Sequence, residues 1–567
     1  MKGRGRAVTR RVILVLAGVL LVQTVVVARV FTPRPHSGGD NAGYVALAHS
    51  LLDRGAYLEL WDPEEPPHTK YPPLLATVLA GAVLLGARSW AALKVIPAFS
   101  TILAVAFAFL WARERRGLGL GVGVALLLGL SESVVYYSQW VLSDPVFLAL
   151  SVAALWALER SRNRGGETGE DPGGAGWLAG GMVLVLAAYF TRSAGLPLVV
   201  AALGWLALQR RWRALGTFGV VLGGPALLWW LRGRMAGGGE YVSEFWLVDP
   251  YRPGLGTVGL PELLDRLVQN LVAYVTEIIP AGVVGDLGPV LPLLGLALVL
   301  LAGVGWIRCF RKRWGVAELF LPLYFGLILL WPQPWSGDRF SLPLLPLLFF
   351  YGGVALLWLL GTLPERIRAV ALGLAVALVA LPAAAEWNRI ASPAGACREA
   401  TDSGRWEACL PEAEGDYLTL ARWTGSNLPE GAVVTTRKPR RFFLESGVKA
   451  QSIPLTTDPG VFLERMAGKG SRYVSLDRLD GLSGYYVVPA VTGRVGRFCA
   501  ALEVGRSPET ASRLLGVLGV DPGEGPGDVG QALTRCPPEV FPRPPREPRD
   551  REGWTIRLLD RVPSPGS

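Results

Sequence analysis

Residues 32–73 hold an unusual share of the polar chemistry of an otherwise apolar chain. All 3 histidines fall there, His36, His49 and His68, with Gly38-Gly39-Asp40, Asn41, Tyr44 and Lys70-Tyr71-Pro72-Pro73. Asp40 follows two glycines that let the backbone turn tightly, and it could act as a general base or bind a metal. It could equally cap a helix over 42–52, because Asp is a favoured cap and the pattern after it is amphipathic. Lys70 offers a point charge to a phosphate, and the prolines after it fix the chain; its structural alternative is an anchor to lipid headgroups. His68 and Tyr71 could orient a substrate or its lipid. Zinc held by histidines with Asp40 or Asp144 is the weaker reading, because spacings of 13 and 19 residues match no compact metal motif. No cofactor is certain, and a divalent metal stays open.

Groups of the same kind recur further along. Asp144 ends Tyr136-Tyr137-Ser138-Gln139-Trp140-Val141-Leu142-Ser143-Asp144 and precedes Pro145, a common way to open a helix. Arg192 interrupts the apolar stretch 177–208, and an ionisable group among membrane helices is a functional candidate by default. It could hold a phosphate through bidentate hydrogen bonds. Asp338-Arg339 follows Trp331-Pro332-Gln333-Pro334-Trp335 and reads as part of a site or as an internal salt bridge.

The elements that must position these groups are membrane spans. With 51% hydrophobic residues in 567 and a mean hydropathy of +0.36, the chain is too apolar for a soluble protein of its length. Apolar runs near span length lie at 12–31, 91–112, 118–137, 145–159, 177–191, 194–209, 214–231, 288–307, 316–331, 341–360 and 367–385, about eleven in all. The run 74–87 is too short and suits an interfacial or re-entrant helix. No small-residue cleavage site follows the first run, which reads as an anchor.

Charge orients the spans. The net charge of +10 is concentrated in clusters such as Lys2–Arg11, Arg113–Arg116, Arg308–Arg313 and Arg366–Arg368. Each abuts an apolar span, which argues against nucleic-acid binding and for the cytoplasmic side of the cell (inner) membrane. The N-terminus is then cytoplasmic. The loops 32–90, 138–144, 232–287 and 332–340, and Arg192, share the outer face with a soluble domain at 386–567. An amphipathic helix is expected around Pro261–Val275.

The outer domain reads as α/β: a helix at Asp416–Ser426, a strand at Ala432–Thr436, a helix at Pro459–Ala467 and a strand at Tyr473–Leu476. A Pro-rich connector, Pro537–Pro548, leads to a last strand near Trp554–Leu559. Four of the 5 cysteines lie there, which suits an oxidising compartment. Cys397–Cys409 with Cys499–Cys536 is the simplest of the three pairings that Cys397, Cys409, Cys499 and Cys536 allow. No catalytic motif or repeat of solenoid period is evident.

The order of these motifs resembles the GT-C glycosyltransferases over roughly residues 10–390. A first span precedes Gly39-Asp40-Asn41-Ala42-Gly43-Tyr44 and Lys70-Tyr71-Pro72-Pro73-Leu74. Ser143-Asp144-Pro145, Thr191-Arg192 and Asp338-Arg339-Phe340-Ser341-Leu342-Pro343-Leu344-Leu345-Pro346 follow. Within that superfamily the chain is most similar to the lipid-A aminoarabinose transferase and protein O-mannosyltransferase branch, and Asn427-Leu428-Pro429-Glu430-Gly431 is also typical of it.

The resemblance implies a polytopic α-helical catalytic domain, 1–385, followed by an extracytoplasmic α/β domain, 386–567. It implies an inverting transfer of a sugar from a polyprenyl-phosphate donor to a glycan, lipid or protein acceptor. Asp40 would be the base, Asp144 would position the acceptor or a metal, and Lys70, Tyr71, Arg192 and Arg339 would hold the donor phosphate and lipid. His68, Asn41, Tyr44 and Asp338 would be further contacts. The aminoarabinose transferases carry Glu-Lys-Pro-Pro, whereas this chain has Thr69 before the lysine and inserts Tyr71, so transfer to lipid A is not implied. The large β-rich insert of the protein mannosyltransferases is absent from the sequence. A multi-pass transporter or lipid flippase is the rival reading, but no matched pair of interrupted helices marks inverted halves. A non-catalytic scaffold is a third.

Overall fold

A computed structural model of the protein describes residues 2–35, 38–164, 172–402, 409–519, 533–542, 555–558 and 561–562. The apolar runs become helices, because a backbone in lipid must satisfy its own hydrogen bonds. Among the described residues 8 helices are long and apolar enough to cross a membrane: Arg10–Val30, Trp90–Arg116, Gly174–Thr191, Trp212–Met235, Leu260–Val284, Gly288–Arg313, Asp338–Leu359 and Glu365–Ala400. Helices Leu118–Leu130, Ser193–Leu208, Val316–Leu329 and Ser143–Arg164 occupy the remaining runs. The protein is a multi-pass, α-helical membrane chain with a C-terminal α/β domain. The short run forms the helix Leu74–Leu84, about 17 Å long at 1.5 Å per residue, well short of a bilayer core of roughly 30 Å.

The amphipathic helix in the third loop is longer than expected. Leu260–Ala273 continues through a π-turn, Tyr274–Ile278, into Ile279–Val284. Its Leu260, Leu264 and Val268 are exposed, whereas Arg266 and Asn270 are buried. Arg266 donates to the Phe245 and Leu247 carbonyls at 2.7 and 2.6 Å, and Asn270 donates to those of Leu329 and Trp331, both at 2.8 Å. The polar face turns inward and the apolar face outward, an arrangement suited to lipid. Periodicity in the sequence marks such a helix without saying which face is covered.

The chain divides into two compact units. The first comprises Met1–Thr32, Thr69–Val248 and Thr257–Gly395, and the second Pro33–His68, Asp249–Gly256 and Ala396–Ser567. Trp111, Phe109, Phe147, Phe320 and Phe350 are fully buried in the core of the first. Gly305 lets helix Leu291–Arg313 lie against helix Leu345–Leu359, since a Cβ there would collide with the Tyr351 carbonyl. The buried Glu318 accepts from Arg115 at 2.7 Å, from the Tyr351 hydroxyl at 2.8 Å and from the Gly315 amide at 2.7 Å. Such a set of partners is what makes a buried carboxylate tolerable.

The second unit is built on a sheet ordered β2-β1-β3-β5-β4-β6-β8, with β7 paired to β4. Its strands are β1 Val433–Thr436, β2 Lys449–Ser452, β3 Tyr473–Leu476, β4 Phe498–Gly505, β5 Ser512–Val517, β6 Leu533–Arg535, β7 Thr555–Leu558 and β8 Arg561–Val562. β1 is parallel to β2 and β3, and β3, β5 and β4 are antiparallel. Helices Glu412–Asn427 and Pro439–Ser446 supply Tyr417 and Phe442 to one core, and Pro459–Gly468 and Gly481–Gly493 supply Phe462 and Val487 to another. Disulfides join Cys397 to Cys409 and Cys499 to Cys536. The expected last strand appears as β7. The connector beyond residue 542, with Trp554 and Leu559, lies outside the described residues, as does His36.

Candidate functional site

In the first unit, helix Ser143–Arg164 packs along helix Pro172–Thr191. The two form an antiparallel hairpin, so the start of one lies beside the end of the other. Asp144 in the first turn of the former therefore meets Arg192, which follows the latter, and the two form an ion pair. An acid at a helix N-terminus and a base past a C-terminus also suit the helix dipoles. Asp144 is 3% exposed and its second carboxylate oxygen, Oδ2, has no hydrogen-bond partner. Arg192 also donates to the Ser143 hydroxyl at 3.2 Å.

The short helix Asp338–Ser341 completes this cluster. The Phe340 ring has the Arg192 guanidinium 5.2 Å and the Arg339 guanidinium 4.8 Å from its centroid, within cation–π range. Tyr324 fixes the turn by donating to the Phe340 carbonyl at 3.0 Å. Asp338 accepts from the Tyr137 hydroxyl and the Arg339 amide, both at 2.9 Å. Asp144, Arg192, Asp338 and Arg339 thus come together from three stretches of chain.

Lys70 has a cage of its own. Its ammonium lies 2.7 Å from each carboxylate oxygen of Glu244 and 5.2 and 5.1 Å from the Tyr241 and Trp335 rings. Tyr71 is buried beside it in sequence. Glu244 and Tyr241 lie on the short helix Glu240–Trp246. Neither stood out in the sequence, where Glu244 is one acid in a mixed loop. Lys94 was also missed, since it sits inside an apolar run. It is fully buried and donates to the Thr32 carbonyl at 2.8 Å, while the Thr32 amide donates to Gln139 at 3.0 Å.

Asp40 belongs to the second unit. Gly38, not Asp40, occupies the cap position of helix Gly39–Asp53, and Asp40 lies in its first turn. Its carboxylate is 3.9 Å from Arg440, whose guanidinium lies 4.9 Å from the Trp61 ring centroid. Asn41 and Tyr44 are buried, and neither end of the Asn41 amide finds a hydrogen bond.

His68 is wholly buried, 2.7 Å from Glu59 and edge-on to Tyr57 and Trp61. Burial alone would raise the Glu59 pKa, but the His68 hydrogen bond and the charges of His68, Arg440 and Lys469 outweigh it and hold the carboxyl low. These contacts give His68 a structural place in the loop. The loop is stitched to β2, with the Ala450 amide donating to the Trp61 carbonyl at 2.7 Å and Lys449 bonding Glu65 at 2.6 Å. Among the described residues no group of three or more His, Cys, Asp or Glu could hold a metal ion.

No protein-family model and no curated protein sequence matches the chain. Solved structures do. An oligosaccharyltransferase of Archaeoglobus fulgidus in complex with zinc and sulfate is 16% identical, with 87% of this chain and 72% of that one covered at a TM-score of 0.57. The oligosaccharyltransferase AglB from the same organism, with an inhibitory peptide and a dolichol-phosphate, is 14% identical over 91% and 75%, TM-score 0.53. ArnT from Cupriavidus metallidurans in the apo state is 15% identical over 92% and 100%, TM-score 0.50. The chain has the fold of these proteins.

Proposed function

We propose that the protein is a membrane glycosyltransferase of GT-C type that moves a sugar from a polyprenyl-phosphate donor to an acceptor hydroxyl. The observation that carries this reading is the pair of guanidiniums, Arg192 and Arg339, gathered on Phe340 with Arg192 held by the buried Asp144. Arginine presents a planar fork that matches phosphate oxygens, and a preorganised cation stabilises charge as it develops on a leaving group. The dolichol-phosphate held by the structural neighbour AglB supports a lipid-phosphate donor.

In the proposed reaction the acceptor oxygen attacks the anomeric carbon as its proton passes to the Asp40 carboxylate. The bond between that carbon and the phosphate oxygen breaks, and its electron pair leaves with the lipid phosphate. One displacement inverts the anomeric configuration. Arg192 and Lys70 bind the phosphate, Arg339 supports them, and Asp144 orients Arg192. Lys70 must exchange Glu244 for the phosphate. The zinc in the oligosaccharyltransferase neighbour keeps a divalent ion open here too, with the open oxygen of the buried Asp144 as the atom to examine. Residues 1–385 form the catalytic domain and 386–567 an extracytoplasmic domain, a sidedness supported by the basic clusters and the two disulfides.

The test is purified protein in lipid supplied with radiolabelled polyprenyl-phosphate sugars, with the product's anomeric configuration read by NMR. Release of lipid phosphate with inversion is expected. Retention of configuration, or no release from any donor by folded protein, would rule the mechanism out.

A further inference from the structure

The carboxyl edge of β1 and β3 in the second unit belongs to no role assigned so far. The chain leaves β1 towards helix Pro439–Ser446 on one face of the sheet and leaves β3 towards helix Gly481–Gly493 on the other. Adjacent parallel strands whose connections part in this way open a crevice at their carboxyl ends, where ligands of α/β sheets bind. A shallow, open depression lies beside it, lined by Pro35, Glu414, Tyr417, Lys438, Arg441 and Leu479 among others.

The groups at this edge alternate in sign. Arg437 donates to Asp480 at 3.0 Å, Lys438 lies 3.6 Å from Asp480, Arg441 is 2.7 Å from Glu445 and Arg440 is 3.9 Å from Asp40. Four cations thus face three carboxylates, so a ligand with a large net charge would gain little. Fixed carboxylates and guanidiniums side by side instead offer acceptors and donors to neighbouring hydroxyls. Aromatic faces accompany them, with Tyr251 under Arg437 at 5.3 Å and Tyr485, which is 47% exposed, under Arg252 at 5.2 Å.

Asn41 is an independent sign. Its amide follows Asp40 in the helix, is buried, and has both ends unsatisfied, a state that is costly until a partner arrives.

We infer that this edge binds an uncharged, hydroxyl-rich acceptor, a sugar residue of a glycan, and that Arg437, Lys438 and Asp480 hold it while Asp40 faces its reacting hydroxyl. The inference rests on the glycosyltransferase reading and names its acceptor class. It makes Arg437 and Lys438 binding residues of a domain in which no sequence motif marks a site.

Two measurements on the full-length protein in nanodiscs test it. Saturation-transfer NMR with methyl glycosides of glucose, galactose and mannose reads binding without turnover. Binding of at least one is expected, with loss of the signal in Lys438→Met and Arg437→Gln and retention in Arg513→Gln, whose partner Glu503 lies on β4. Variants are compared only where their thermal unfolding matches wild type.

Release of lipid phosphate from the radiolabelled donor is then followed with each glycoside, inorganic phosphate, a neutral peptide or water alone. Acceleration by a glycoside, with its KM raised at least tenfold in Lys438→Met, supports the inference. Acceleration only by phosphate or peptide overturns it, as does binding that the two variants leave intact. Absence of any release while glycosides still bind at Lys438 would sink the transferase reading and leave the sugar site standing.

Discussion

At the scale of single residues, the proposed phosphate-binding role falls most heavily on Arg192, which the buried Asp144 holds in an ion pair. Arg192→Ala should lower donor turnover by roughly 10²–10³-fold, the usual loss when one preorganised donor to a developing anion is removed. Asp144→Asn should destabilise the protein by about 3 kcal/mol, because it leaves a cation without its buried partner. The Asp144→Asn, Arg192→Gln double variant should cost less than the sum of the singles, as contacting partners do not add. Thermal unfolding in lipid checks both statements. Glu244 makes a contrasting case, since its ion pair with Lys70 would have to give way to a phosphate under the proposed mechanism. Glu244→Gln should lower the donor KM and Lys70→Met should raise it, as steady-state kinetics would show.

At the scale of elements, the second unit stores its polar groups at strand ends. Asp477, just past β3, is buried, and burial pushes its pKa from 3.8 up to about 6 against hydrogen bonds from the Leu479 amide and Ser475. A raised acid favours its protonated form in the folded state. The penalty is absent below about pH 4, grows as pH rises through 6 and is complete above it, about 3 kcal/mol by linkage. Asp477→Asn should therefore raise the unfolding midpoint of this unit at pH 8 and change it little at pH 4. An equal gain at both values would refute the assignment. Glu65 has the opposite sign: hydrogen bonds from Arg54 and then Lys449 hold its pKa near 2, so whatever it contributes is lost as pH falls below the ordinary carboxylate range.

At the scale of the whole molecule, what was legible in the sequence follows from the range over which each signal acts. Helical spans are local, because twenty apolar residues in lipid leave the backbone one solution, and each apolar run did become a helix. Asp40, Lys70, Asp144 and Arg192 were visible as polar residues in the wrong surroundings. Their partners were not. Glu244 lies 174 positions from Lys70, and Arg440 lies in a basic stretch, Arg437-Lys438-Pro439-Arg440-Arg441, that nothing local in the sequence ties to Asp40. Residues 33–68 and 249–256 cluster with the C-terminal unit, a long-range pairing with no local signature.

Sugar transfer with Asp40 as the proposed base is open to one direct comparison. Wild type and Asp40→Asn, both purified in lipid and shown to be folded, are given the same radiolabelled polyprenyl-phosphate sugars and acceptor. Transfer by the wild type and a loss of at least 10²-fold in the variant are expected, the scale of a missing general base. Transfer by Asp40→Asn at the wild-type rate would contradict it.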